Sequence, residues 1–410
     1  MKKTGFYLLI LGISLIYLFL RTYKLDQKIE FRMDQGIHLL ETRQMITDNK
    51  IRLIGPMVTS KSYDGRNFYI GGNYYYALAI LGVISRWDPV KITALYNIIE
   101  LLFIIFFIFW LRLKYNSQTA IIIFVFLTFF DFLITHSRFF WNPHFLVPLG
   151  ILFVYFLDLY QRQKQSIFLF LASVILGNAI SFHYTATSWL ILITIPLILA
   201  KKRSIWQVLI IIFGIIIGAF PLVLFELRHS FYNLKTIFFI FTHFKENSGF
   251  TPHYLVYPIL IFTLSSFAYF QNKFKSKKFF IIISTLLLFI AGYFTPSPSP
   301  LDNLSGWAYQ FQKKAATLIT QNGCPKNYNI ASTIGGDTRA YDLRYLLTIS
   351  QCPPMEVEQY LNNQTLFLVA PTTRPPETET VWEVNSFKPF KVTQQQKIND
   401  QVVFYRLNKS

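Results

Sequence analysis

One carboxylate stands where it could act on a hydroxyl group close to a membrane surface. Asp34 lies in the stretch 31–36 (FRMDQG), soon after the first long apolar segment of the chain. A carboxylate placed there could take a proton from an acceptor hydroxyl as a general base. Asp is also favoured at helix N-caps, so a cap before a helix over 35–48 is the alternative interpretation.

A guanidinium stands in a second polar stretch, 136–144 (HSRFFWNPH). Arg138 is suited to a phosphate, which its planar group can hold with two hydrogen bonds. The alternative is a tight outer turn with an aromatic belt, because Pro143 restarts a helix and Trp141 is typical of membrane interfaces. Arg138 beside two histidines is more polarity than such a turn needs, which favours a binding role.

Two further polar stretches follow apolar segments. The stretch 181–185 (SFHYT) contains His183, and 225–233 (FELRHSFYN) contains Glu226 and Arg228. A lone histidine between apolar segments is often hydrogen-bonded within a helical bundle, and Glu226 and Arg228 could simply pair with each other. No single stretch is specific, so their importance depends on whether they share one side of a membrane.

Long apolar segments must position these groups. The chain has 410 residues, of which 53% are hydrophobic and only 15% charged, more apolar than a soluble domain. Segments of about 17–21 residues, the length that crosses a bilayer, recur along it. They lie near 5–21, 91–111, 117–135, 144–160, 166–182, 185–200, 205–224, 254–271 and 278–295. The pattern predicts an all-α polytopic membrane protein with about nine transmembrane helices and juxtamembrane helices at 74–84 and 233–244.

Basic residues occur in alternate loops and predict the orientation. These loops contain no Asp or Glu, and they lie at 2–3, 112–114, 162–164, 201–203 and 273–278. The positive-inside rule therefore places the N-terminus in the cytoplasm and the C-terminus outside the plasma membrane. All four polar stretches then fall on the outer side. The same distribution explains the net charge of +18 without a nucleic-acid partner.

The chain is predicted to contain two parts. Residues 1–297 form the transmembrane module, with a first outside loop at 22–90. Residues 298–410 are polar, with alternating apolar positions at 328–334 and 365–370 and helical patterns at 306–321 and 339–350. They are predicted to form a small extracytoplasmic α/β domain. The two cysteines, Cys324 and Cys352, lie in this domain and could form a disulfide or stay free.

Four motifs in the order found here resemble the polytopic glycosyltransferases of the GT-C type. The likeness covers about residues 5–240 and is to bacterial members of the dolichyl-phosphate-mannose protein mannosyltransferase-like superfamily, including the rhizobial lipopolysaccharide-sugar transferases. The first match is in the first outside loop and comprises Asp34-Gln35, Leu53–Pro56 and Gly72–Tyr76; the later three are Ser137-Arg138 with Trp141–Pro143, His183–Ala186 and Phe225–His229. Two positions depart from the family pattern, because Gln35 replaces a Glu and Asn73 replaces a Pro.

The resemblance implies inverting transfer of a hexose or pentose from a polyprenyl-phosphate donor to an extracytoplasmic glycolipid, glycan or protein acceptor. Asp34 would be the general base, and cationic groups would stabilise the departing phosphate. The expected substrate-binding residues are Tyr74, Tyr75, Arg138, Asn142, His183, Tyr184, Glu226, Arg228 and His229. Tyr74, Tyr75 and Trp141 could line the prenyl chain or the sugar face. The acids of the first loop could bind a divalent cation, Mg²⁺ or Mn²⁺, or none.

Two other functions use the same kind of topology. A transporter or flippase of a lipid-linked sugar would place ionisable groups near the midplane, often with inverted repeats, and no repeat is visible in this sequence. A glycan ligase or polymerase would share the donor and would be favoured by a long polar loop late in the chain. The loop 225–253 is only modest in length.

Overall fold

Contacts divide the chain into two compact units. The computed structural model describes residues 3–58, 65–198, 205–243, 256–274, 307–321 and 323–410. The first unit consists of the described residues within Met1–Tyr23, Met45–Leu81 and Ala94–Thr295. The second consists of those within Lys24–Gln44, Gly82–Thr93 and Pro296–Ser410. The units therefore differ from a simple division at residue 297, because two pieces of the predicted first outside loop are grouped with the C-terminal segment.

Helices make up nearly all of the described chain up to residue 274. They are α1 (Lys3–Thr22), α2 (Leu25–Lys28), α3 (Met33–Thr47), α4 (Asn73–Ile84), α5 (Pro89–Lys114), α6 (Ser117–Phe129), α7 (Asp131–His136), α8 (Leu146–Gln163), α9 (Ser166–Phe182), α10 (Leu190–Ile198), α11 (Ile205–Gly218), α12 (Phe220–Arg228), α13 (Tyr232–Thr242) and α14 (Val256–Phe274). Short 3-10 helices, Asn142–Phe145 and Tyr184–Trp189, precede α8 and α10. Strands β1 (Ile54–Met57) and β2 (Tyr69–Gly71) pair antiparallel.

Three of the described helices are long and apolar enough to cross a membrane, namely Thr4–Thr22, Pro89–Lys114 and Asn142–Gln163. Helices α11 and α12 pass the same test together but are bent by 86°. Shorter apolar helices cover most of the other predicted segments, and 278–295 lies outside the described residues. The apolar helices indicate a membrane location, whereas the number nine and the orientation stay predictions.

The predicted segment 117–135 is two helices rather than one. Helix α6 ends at Phe129 and α7 begins at Asp131. The buried Arg21 donates hydrogen bonds to the carbonyl oxygens of Leu127 and Thr128, both at 3.0 Å. These bonds satisfy carbonyls at the end of α6, where no further turn of the helix can do so.

Helices α9 and α11 pack with their backbones in close contact. A Cβ atom added at Gly218 would lie 2.0 Å from the Val174 carbonyl oxygen, and one at Gly177 would lie 2.2 Å from that of Ile215. Only glycine fits where backbones approach this closely, as in the small-residue interfaces of membrane helices.

Basic side chains meet at one end of the first unit. Asp158 accepts from Lys114 at 2.5 Å and from Arg162 at 2.6 Å, which joins two of the loops predicted to be cytoplasmic. Asn97 and Lys114 lie on the same helix, α5, and a rise of 1.5 Å per residue separates them by about 25 Å along its axis. The Asn97 end of α5 therefore lies far from this basic end.

The second unit contains a four-stranded sheet in the order β3–β4–β6–β5. Its strands are β3 (Tyr328–Ser332), β4 (Thr365–Pro371), β5 (Phe390–Lys397) and β6 (Val402–Lys409), and its helices are α15 (Tyr309–Thr320), α16 (Tyr341–Ile349) and α17 (Trp382–Asn385). Strands β3 and β4 are parallel and the other pairs antiparallel. The small C-terminal α/β domain is thus present, and Cys324 forms a disulfide with Cys352.

Candidate functional site

Strand β2 of the first outside loop brings two of the predicted polar stretches together in the first unit. The buried Asn233 receives a hydrogen bond from the Tyr69 amide at 3.1 Å and donates one to the Tyr69 carbonyl at 3.2 Å. The Tyr184 hydroxyl donates to the same carbonyl at 2.7 Å. The first outside loop, the stretch 181–185 and the stretch 225–233 therefore meet at one residue of β2.

Glu226 is a buried acid beside this meeting point. One carboxylate oxygen accepts from the Leu234 amide at 3.3 Å, whereas the other has no hydrogen-bond partner among the described residues. Burial, with Glu226 nearby as the smaller cause, raises the pKa of the Tyr184 hydroxyl above its usual value. Glu226 and Arg228, both in the described part of the chain, form no ion pair with each other, and Arg228 is exposed. The unpartnered oxygen can accept from a hydroxyl or ammonium group of a ligand.

A polar knot anchors the start of α4 beneath β2. The Asn73 amide donates to the Asn178 side chain at 2.7 Å and to the Gly218 carbonyl at 3.0 Å. The Ser181 hydroxyl donates to Asn73 at 2.8 Å. A Cβ atom at Gly71 would lie 1.8 Å from the Ser181 hydroxyl oxygen, so glycine is required for β2 to approach α9.

The stretch around Arg138 joins the same region. The Asn142 amide donates to the Phe182 carbonyl at 2.9 Å, one residue before His183. Asn97 donates to the Ser137 carbonyl at 3.0 Å, which places this stretch at the end of α5 opposite Lys114. Arg138 is half-buried, and its guanidinium has no described partner. An uncompensated guanidinium at this depth suits an anion.

Two predicted substrate-binding tyrosines lie in the core under the site. Tyr74 and Tyr75 are buried, with their ring centroids 5.9 Å apart. Tyr74 packs against Phe145 and Phe182. The tyrosine rings therefore pack beneath the backbone of the polar stretches as part of the core. Trp141 is half-buried and packs against His144.

The two histidines of the prediction have different settings. His183 precedes the 3-10 helix Tyr184–Trp189, and its Nδ1 accepts from the Thr185 amide at 3.3 Å. The exposed His229 stacks on Phe225, and its Nδ1 lies 2.9 Å from the Phe225 carbonyl. Because a carbonyl oxygen can only accept, Nδ1 of His229 donates this hydrogen bond.

Asp34 belongs to the second unit, on the first turn of α3. The helix begins at Met33, so Asp34 lies inside it rather than at the N-cap. Gln35 accepts from the Arg32 amide at 3.2 Å, which satisfies one of the open amides at the helix start. The Asp34 side chain is solvent-exposed. The surrounding protein nevertheless partly desolvates its carboxyl group, which raises the pKa of that group above the usual value.

No group of three or more His, Cys, Asp or Glu side chains within the described residues is arranged to hold a metal ion. Mg²⁺ and Mn²⁺ prefer carboxylate, carbonyl and water oxygens. Asp34 and Glu226 lie in different compact units.

Several residues that hold the site together were not predicted. Asn233 is the last residue of its polar stretch, Asn178 lies within the apolar segment 166–182, and Asn73 departs from the family pattern, so none of the three is an expected site residue. An asparagine within a long apolar segment is itself a signal, because a membrane helix seldom carries an amide without a partner.

The chain has the fold of ArnT, which supports the fold that the motifs predicted. ArnT from Cupriavidus metallidurans bound to undecaprenyl phosphate has a TM-score of 0.58 to this chain at 11% identity, covering 99% of this chain and 98% of ArnT. The apo state of the same protein gives a TM-score of 0.53 at 13% identity, covering 98% of each chain. Neither a known protein family nor a curated protein matches the chain by sequence.

Proposed function

We propose that the chain is a membrane glycosyltransferase that moves a sugar from a polyprenyl-phosphate donor to an acceptor outside the membrane. The observation that carries the proposal is the fold shared over nearly the whole length with ArnT, a protein solved with undecaprenyl phosphate bound. The convergence of the polar stretches in the first unit supports it independently, because a helical bundle alone does not need a buried acid with an open oxygen.

In the proposed reaction, Asp34 takes the proton of the acceptor hydroxyl as its oxygen attacks the anomeric carbon. The bond from that carbon to the donor phosphate breaks, and the polyprenyl phosphate leaves with the bonding electron pair. Attack opposite to the leaving group inverts the anomeric centre. The raised pKa of Asp34 suits a base, because a carboxylate with a higher pKa holds the proton more strongly.

The first unit is proposed to bind the donor. Arg138 and Arg228 would neutralise charge that builds on the departing phosphate, with His183 or His229 assisting. Glu226 and Tyr184 would bind the sugar, and Asn142 would hold the loop that carries Arg138. Tyr74 and Tyr75 would shape the floor for the prenyl chain or sugar.

The test uses the full chain in lipid nanodiscs with a panel of undecaprenyl-phosphate hexoses and pentoses. Release of undecaprenyl phosphate is measured by mass spectrometry in the presence of envelope lipids as acceptors. We expect one donor to be consumed. Asp34→Asn should abolish transfer while the protein still inserts, because a general base contributes about 10²–10⁴-fold.

Asp26→Asn is the matched control, since Asp26 is an exposed acid in the same compact unit. Its turnover should equal that of the unaltered chain. Donor movement between leaflets without release of undecaprenyl phosphate would instead identify a flippase. Normal turnover by Asp34→Asn would remove that residue from the mechanism.

A further inference from the structure

The start of helix α3 is pressed against the backbone of the C-terminal sheet domain, within the second unit. A Cβ atom at Gly36 would lie 2.4 Å from the Tyr341 carbonyl oxygen and 2.9 Å from the Asp342 amide nitrogen. These atoms belong to the first turn of α16 and cannot rotate away as a side chain would. Gly36 therefore allows a backbone contact two residues from Asp34.

A second contact holds the residue that leads into α3. The Phe31 ring is buried between Tyr309 and Tyr345, at centroid distances of 5.7 and 5.5 Å. The buried Gln312 donates from its amide to the Phe31 carbonyl at 2.8 Å. The two ring contacts and the hydrogen bond to the Phe31 carbonyl together fix the backbone at residue 31.

The same helix of the sheet domain holds the other piece of the first loop in this unit. The Tyr345 hydroxyl donates to the carbonyl of Trp87, in the turn between α4 and α5. Helix α16 thus contacts both 31–36 and 85–88. A domain that served only as a separate appendage would not need contacts with two loop segments that are distant in sequence.

We propose that the C-terminal domain is a positioning platform for Asp34, with Gly36 and Gln312 as the positioning residues. The inference rests on the proposed function of Asp34 as the base. Catalytic groups must be held within about 0.5 Å of their productive geometry, and a displacement of about 1 Å can lower the rate on the order of 10²-fold. A methyl group at residue 36 requires a shift of about that size, because it would lie 2.4 Å from the Tyr341 carbonyl oxygen whereas ordinary Cβ contacts begin at 3.4 Å.

The experiment compares Gly36→Ala with Gly12→Ala in the nanodisc release assay, per amount of folded protein. A Cβ atom at Gly12, also in a helix, meets nothing within 4 Å. We expect Gly36→Ala to lower kcat on the order of 10–100-fold while KM for the undecaprenyl-phosphate sugar stays within about twofold. The acid limb of its pH–rate profile should also move, because a displaced Asp34 has a new environment. Gly12→Ala should match the unaltered chain.

Gln312→Met provides a second, milder variant, because it keeps the volume and removes the amide that donates to the Phe31 carbonyl at 2.8 Å and, at 3.5 Å, to the Trp307 carbonyl of the same unit. It should lower kcat by about 3–10-fold with KM unchanged, as expected when the hydrogen bond that holds the Phe31 backbone is lost. Unaltered kcat and pH profile in Gly36→Ala and Gln312→Met would overturn the platform. If Asp34→Asn is inactive in that case, the proposed function stands, whereas an active Asp34→Asn would remove the base itself.

Discussion

Arg138 carries a charge that no described side chain of the protein neutralises. The residue is half-buried in the stretch anchored by Asn142. Removing a guanidinium from water without a counter-ion costs free energy, so such a group is usually kept for a ligand. A phosphate diester of a prenyl chain would supply the missing negative charge.

Arg138→Ala should raise KM for the undecaprenyl-phosphate sugar by roughly 10-fold or more, since a hydrogen bond to a charged group contributes about 1.5–3 kcal/mol. KM for the acceptor should change much less. Steady-state kinetics with each substrate varied in turn measures both values. Arg374→Ala, at an exposed arginine of the sheet domain, is the control, and an equal effect on both KM values would contradict a donor role for Arg138.

Residue types were the part of the site that the sequence could predict. Asp34, Arg138 and Glu226 were recognised because charged groups beside apolar segments need a reason to be there. Asn233 was not, because an asparagine that binds a backbone carbonyl looks the same in sequence as one that faces water. Its role depends on which strand lies opposite, and that is set by contacts over more than 100 residues.

At the scale of elements, the polar knot at Asn73 joins α4, α9 and α11. The side-chain NH2 of Asn73 donates to the Asn178 side-chain oxygen and to the Gly218 carbonyl oxygen. The side-chain oxygen of Asn73 accepts from the Ser181 hydroxyl. Loss of the Asn73 side-chain amide leaves these groups, which are partly shielded from water, without their partner. Buried groups in that state are more costly than the hydrogen bond itself is worth.

Asn73→Ala should therefore destabilise the first unit by about 1–3 kcal/mol, seen as a lower thermal midpoint of the chain in detergent. Ser181→Ala alone should cost less, because Asn73 keeps its two other bonds. Together they should be non-additive, with a coupling of about 0.5–3 kcal/mol. Additive effects would show that the knot is not a cooperative network.

The elements themselves were predicted to different degrees. Long apolar runs such as Pro89–Lys114 and Leu146–Gln163 were placed well, because lipid demands one uninterrupted helix. The bend between α11 and α12 was missed although Pro221 was visible and proline favours the first turn of a new helix. Strand β5 was missed because its exposed sequence, FKVTQQQK, has no alternating apolar pattern.

At the scale of the whole molecule, the sheet domain contains two acids whose ionisation opposes its folding. Burial, with Asp337 nearby, raises the pKa of Asp342 to about 7, and burial raises the pKa of Asp337 to about 6. Both exceed the value of about 3.9 expected for an unfolded chain. The folded domain therefore prefers the protonated acids, and its stability falls as the pH rises from about 4 to 7.

Asp342→Asn should flatten this dependence and stabilise the domain at pH 8, on the order of 3 kcal/mol. An asparagine oxygen can still accept from Trp307, which donates to Asp342 at 2.9 Å. Hydrogen exchange of peptides from 328–349 in the full chain, corrected for intrinsic rates, measures the effect between pH 5 and 8. Asp400→Asn, at a fully exposed side chain, should leave the pH dependence of domain stability unchanged. If Asp342→Asn showed the same pH dependence as the unaltered chain, the raised pKa of Asp342 would be contradicted.

The second unit is assembled from segments made at very different times. Phe31 and its partner Gln312 are separated by 281 residues, so at roughly 5–20 residues per second the ribosome delivers the partner roughly 15–55 s later. Throughout that interval the nascent chain lacks the C-terminal residues against which the Phe31 ring packs. A holdase that shelters this segment during synthesis should therefore raise the yield of correctly assembled protein.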